Sequence, residues 1–247
     1  MLAFRCALML LTGLIGGAVT ATAAAAQIYV MESTVPAIRV GSALDLSAAV
    51  SIPAGSHIRA VLPSGKTQTI KGPYEGTVAD LAKGQPVNEG VLASLKNLLR
   101  TGGATQNTAG ATRSITRPAD KPSRAAFSWS AIPVANGTVC VEKGAKLALI
   151  RPASPNAERA TIVDPAGNNQ AALQWEPGSD TAAWPPTLTL RNDGTYDVLS
   201  AGREPRRITL RVLDQLPNED NLLIELNRLG CSSQFEAWVR GKLAVGN

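Results

Sequence analysis

The sequence predicts a mainly β protein in two folded parts: a small N-terminal β module with one helix, a flexible linker, and a C-terminal antiparallel β-sandwich-like domain closed by two short helices. Three observations lead there. Short runs of alternating and β-branched residues are punctuated by Gly, Pro, Asn and Asp along most of the chain. Residues 101–126 hold almost no large apolar side chain except Ile115, so they contribute little to a core. Helical spacing is confined to the stretch after Asn88 and the C-terminal end from Pro217.

The start carries one charge, Arg5, then an apolar run from Cys6 to Ile15 and small residues through Ala26, the order of a signal peptide. Cleavage after Ala26 would leave Gln27 first. The apolar run falls short of the roughly 20 residues that span a bilayer core, so no stable membrane insertion is expected after cleavage. The expected organisation is a signal peptide over 1–26, a β module plus helix over 27–100, a disordered linker over 101–126, and a sandwich with a helical pair over 127–247. An exported protein, periplasmic or secreted, follows.

In the first region Ile28–Val30 and Ala37–Val40 read as extended segments. A clearer pair flanks Pro63-Ser64-Gly65-Lys66, where Ile58, Ala60 and Leu62 alternate with His57, Arg59 and Val61, and β-branched residues follow from Thr67 to Ile70. This is a hairpin, stopped by Gly72-Pro73 because proline supplies no ladder donor. Asn88 then caps a helix whose Val91, Leu92, Leu95, Leu98 and Leu99 share one face, with Gly102 beyond its end.

In the second region strands are expected over 138–142, 146–151, 159–163, 170–175, 187–191, 195–199 and 206–213, with Trp129, Trp175 and Trp184 in core or rim packing. Pro217-Asn218 opens a helix carrying Glu219 and Asp220 in its first turn, where negative charge suits the helix dipole, and Gly230 ends it. Ser233 and Glu236 have capping-box spacing for a final short helix.

Cys140 and Cys231 are the two cysteines left after the signal. In an oxidising compartment they are expected to pair, fastening the helical pair to the sheet, since Cys140 faces away from Val139 and Val141. Without histidines nearby they make a poor zinc site.

The net charge is +5. It concentrates in the linker, on Arg113, Arg117, Lys121 and Arg124, rather than on a basic stripe with stacking aromatics, so a nucleic-acid partner is not expected. His57 is the single histidine; with Ser64 and Asp45 it names a Ser-His-Asp set on paper, without a nucleophile elbow. Metal sites of several histidines are excluded by count, and HExxH and CxxC patterns are absent. The carboxylate pairs Glu176 with Asp180 and Asp193 with Asp197 sit in turns, where acidic residues serve local hydrogen bonding. Ser64 with Lys66 and Ser94 with Lys96 read as a turn and a helix surface. Arg203, Arg206, Arg207 and Arg211, interrupted by Glu204 and Asp214, read as strand charges that discourage edge association. No catalytic, cofactor-binding or metal residue is assigned.

Residues 51–76, from Ser51-Ile52-Pro53-Ala54-Gly55-Ser56 through Val61-Leu62-Pro63-Ser64-Gly65-Lys66 to Ile70-Lys71-Gly72-Pro73-Tyr74-Glu75-Gly76, resemble the short β repeats of FecR-like domains of bacterial envelope proteins. The resemblance implies a periplasmic β module that works by contact, in the signalling members by relaying receptor occupancy across the inner membrane. The expected function is that of a non-enzymatic module binding another envelope protein or a cell-wall polymer. A carboxylate-dependent envelope hydrolase and a membrane-anchored FecR-like regulator are the alternatives.

Overall fold

The computed structural model describes residues 26–101 and 126–245. The signal-peptide reading and nearly all of the expected linker lie outside the described residues.

The first region runs β1 (Gln27–Ser33), β2 (Ala43–Asp45), β3 (Ala49–Ile52), β4 (His57–Val61), β5 (Thr67–Lys71), β6 (Tyr74–Thr77), α1 (Val78–Ala82) and α2 (Glu89–Arg100). An antiparallel sheet has the order β2-β1-β4-β5, while β3 and β6 pair separately. Their apolar faces meet on Ile28, Val50, Ile52, Ile58, Leu62 and Val78. The expected hairpin is β4–β5, and the Asn88 side chain caps α2 by accepting the Val91 N–H.

Two expectations change here. Ala37–Val40 is a turn, closed by Ile38 N–H to Val35 O and by Gly41 at φ +82°. Ile38 still packs on the core, so its apolar character reported burial and not extension. The expected single helix is preceded by α1, where Thr77 and Asp80 form a capping box too short-lived in sequence for a periodic signal.

The second region runs β7 (Ala131–Pro133), β8 (Gly137–Glu142), β9 (Ala148–Ile150), β10 (Glu158–Asp164), β11 (Asn169–Trp175), β12 (Thr181–Ala183), β13 (Gly194–Ser200), β14 (Arg206–Leu213), α3 (Leu222–Leu229) and α4 (Ser232–Val245). Sheets of order β11-β10-β13-β14-β8 and β12-β9-β7 enclose Ile132, Leu149, Ile162, Trp175, Tyr196 and Ile208. Two pairings, β14 with β8 and β7 with β9, are parallel. The chain crosses between sheets after β7, so β7 and β8 each lie beside a strand of the same direction.

Residues 187–191 form no strand. Side chains take their main-chain groups instead: the Tyr196 hydroxyl donates to Thr189 O (2.7 Å) and accepts Arg191 N–H (3.1 Å), and Trp184 Nε1 donates to Leu188 O. This is a tyrosine corner, a lock found at the ends of Greek-key sandwiches. Beside it Arg191 pairs with the buried Asp164 carboxylate.

A third cluster joins the regions. Tyr29, Met31 and Val61 from the first sheet meet Val91, Leu95 and Leu98 of α2, Leu222, Leu223 and Leu226 of α3, Phe235, Trp238 and Val239 of α4, and Cys140 of β8. The helices therefore form a layer with one sheet on each side. Cys140 and Cys231 are disulfide-bonded and both fully buried, which fastens the α3–α4 bend to β8.

The helix starts differ from expectation. Pro217–Asp220 precedes α3 as a turn, with Asn221 N–H bonded to Asn218, and Glu219 is thereby freed for ion pairs. Gly230 ends α3 in the left-handed region at φ +74°. α4 already begins at Ser232, so Ser233 lies inside it; Glu236 binds Arg240 one turn on, not the helix start.

A candidate binding cleft where the two regions meet

The turn of the β4–β5 hairpin is held from three sides. Gly65, at φ +83°, allows Gly65 N–H to reach Leu62 O and Leu62 N–H to reach Lys66 O, both at 2.8 Å. A Cβ on Gly65 would lie 3.1 Å from Val91 Cγ2 and 3.1 Å from Ile224 Cγ1, so the turn is pressed against both α2 and α3. Pro63 O accepts Asn88 N–H (2.8 Å), Ser64 Oγ donates to Gln85 Oε1 (2.6 Å), and Thr67 N–H reaches Asp220 O (2.9 Å).

Between these contacts lies an open cleft of about 650 Å³. Ile224 of α3, Pro86 and Val87 supply apolar surface, and Lys66 and Glu89 supply opposite charges on its margin. Val87 is 54% exposed, the most exposed large apolar side chain among the described residues. An apolar side chain of a partner, flanked by a charged one, suits this lining.

A second set of contacts fixes the same junction. Arg59 of β4 pairs with Glu219 (3.0 Å), and Lys242 of α4 pairs with both Glu219 (3.2 Å) and Glu32 of β1 (2.8 Å). Burial alone would raise the Glu219 carboxyl, but the Lys242 and Arg59 cations outweigh it and hold it below the usual glutamate range. The hydrogen bond to Glu32 leads in raising the Lys242 ammonium above its ordinary value.

The residues named for catalysis are not brought together. His57 and Ser64 lie at opposite ends of β4, separated by its length, on the order of 15 Å. Asp45 is on β2, with β1 intervening, and its carboxylate accepts from Gln27. Ser94 Oγ instead donates to Asn227. Asp193 and Asp197 each hold their own arginine, Arg211 and Arg207, while Arg203 pairs with Glu158. Glu176 accepts from Gln174, and Asp180 O accepts Arg151 N–H. Among the described residues no group of three His, Cys, Asp or Glu side chains could hold a metal ion, and no helix is long and apolar enough to cross a membrane.

Sequence reading missed Val87, Gln85 and Ile224 as cleft residues. The one local signal is Val87 itself, an apolar residue isolated in the turn-forming run Gly84-Gln85-Pro86-Val87-Asn88. No protein-family model, curated protein or solved structure matches the chain.

Proposed function

We propose that this is an exported, non-enzymatic binding protein of the bacterial envelope, which holds a partner protein in the cleft between Val87, Lys66, Glu89 and Ile224. The observation that carries the reading is the composite origin of the cleft. The hairpin contributes Lys66 and the helical layer contributes Ile224, and the contacts of Gly65, Ser64 and Thr67 fix one against the other. A pre-formed cleft avoids part of the ordering cost of binding. The buried disulfide supports an oxidising compartment, and hence export to the periplasm or beyond. The FecR-like character of residues 51–76 favours a protein partner over a cell-wall polymer, because that stretch includes the hairpin beside the cleft.

The test is retention of envelope proteins, and separately of purified peptidoglycan, by the immobilised protein and by its Val87→Glu and Lys66→Glu variants. A protein retained by the parent and lost by both variants supports the reading. Equal retention by all three, or retention of peptidoglycan alone, contradicts it.

A further inference from the structure

The sheet edges are treated unequally. The edge of β8 is closed by a side chain: Gln234 Oε1 accepts Cys140 N–H (2.7 Å) and Gln234 Nε2 donates to Cys140 O (2.6 Å). At the edge of β5, Thr67 N–H is taken by Asp220 O and the strand ends on Lys71. β2, β7 and β12 are three residues each, and β7 contains Pro133. Short strands, lysine, proline and covered main chain are the usual protections of an edge.

β11 is not short and carries neither lysine nor proline. It is seven residues long, Asn169 to Trp175, without charge or proline, and pairs with β10 in unbroken register along its length. The Gln170 N–H is taken by Asn169 Oδ1 (2.8 Å) rather than by β10. The alternation of an antiparallel ladder then turns the main-chain groups of Ala172 and Gln174 outward as well. Ala172 and Gln174 are exposed. Along the same face a trough of about 550 Å³ runs between Ala172, Gln174, Arg159, Thr161 and Leu199, the last 41% exposed.

The strand is also complementary to itself. Laid antiparallel on a second copy with the two-fold axis at residue 172, Ala172 faces Ala172, and Gln170 and Gln174 face each other. Their amides can exchange hydrogen bonds, and no like charges oppose. We propose that β11 is a self-association surface, through which two copies of this chain join their five-stranded sheets into one continuous sheet. The closed interface is isologous, the same edge serving both partners. It is remote in sequence from the cleft residues and independent of the function proposed for them.

Sedimentation velocity of the purified protein over a wide concentration range tests this. The parent is expected to shift from monomer to dimer as concentration rises. Ala172→Lys, which sets two like charges face to face at the axis, is expected to weaken association roughly tenfold or more. A charge-pair experiment separates pairing from folding damage: Q170K/Q174K and Q170E/Q174E are each expected to be monomeric alone and to form a mixed dimer when combined. A parent that stays monomeric at every concentration, a dimer unaffected by Ala172→Lys, or charge variants that fail to combine would each overturn the proposal.

Discussion

The side-chain amide of Gln234 satisfies both main-chain groups of Cys140, and through Nε2 it also reaches Ser128 O at 2.9 Å. Three bonds from one buried side chain tie α4 to β8 and to the segment leading into β7, beside the disulfide that ties the same helix pair to the same strand.

Replacing Gln234 by Ala leaves the Cys140 N–H and C=O buried and unpaired. The expected loss is about 2–4 kcal/mol of stability, from two orphaned groups. Gln234→Glu should be similarly harmful, because a carboxylate accepts from Cys140 N–H but cannot donate to Cys140 O. Chemical denaturation reads both, and amide exchange should show the Cys140 N–H losing protection.

Reduction of the Cys140–Cys231 bond, or the double replacement by Ser, releases a loop with a sequence separation of 91. The chain-entropy account puts the loss at roughly 4–5 kcal/mol. Because the bond is buried, a reductant should act only at concentrations of denaturant that open the helical layer. Mass analysis of alkylated thiols across a denaturant series checks the order of events.

Gly65→Ala meets two costs at once. The left-handed conformation disfavours any side chain by about 1–2 kcal/mol, and the new methyl lies 3.1 Å from both Val91 and Ile224. Gly55→Ala, at φ +79° but with nothing within 4 Å, bears the conformational cost alone. The difference between their melting temperatures isolates the contact between hairpin and helices.

Acid should loosen the junction. Glu219 titrates below its ordinary value in the fold, so its contribution is complete above the unfolded value, near pH 4, and is lost as pH falls through the lower folded value. Asp164 acts in the same direction at the tyrosine corner. Its burial is outweighed by the Gly167 N–H and the Arg191 guanidinium, which hold its carboxyl low. Glu219→Gln should therefore lower stability at neutral pH and flatten its decline into acid, as measured by urea midpoints across the pH range.

Much of the fold was legible because its signals are local. The Pro63–Lys66 turn, the Asn88 cap, the Gly230 stop and the alternation around Ile58 each depend on a few neighbouring residues. The Cys140–Cys231 pairing was legible because the expectation of a signal segment containing Cys6 left these two as partners. The tyrosine corner also had a signal, Tyr196 just after Asn192-Asp193-Gly194, which the expectation of a strand over 187–191 did not use. The cleft was not legible. Gly65 reads as a turn residue whatever it touches, and Ile224 lies on a leucine-rich helix whose apolar residues all resemble core. Only long-range packing sets those two side by side, as it sets Gln234 against Cys140.

Site-specific photo-crosslinking in the source cells addresses the cleft most directly, with the photoreactive side chain placed at Val87 or, for comparison, at the exposed Lys146 of the β8–β9 turn. The account predicts one discrete protein adduct from position 87, absent from position 146 and lost when Lys66→Glu is added. No adduct from position 87, or the same adducts from both positions, would contradict a partner seated in the cleft.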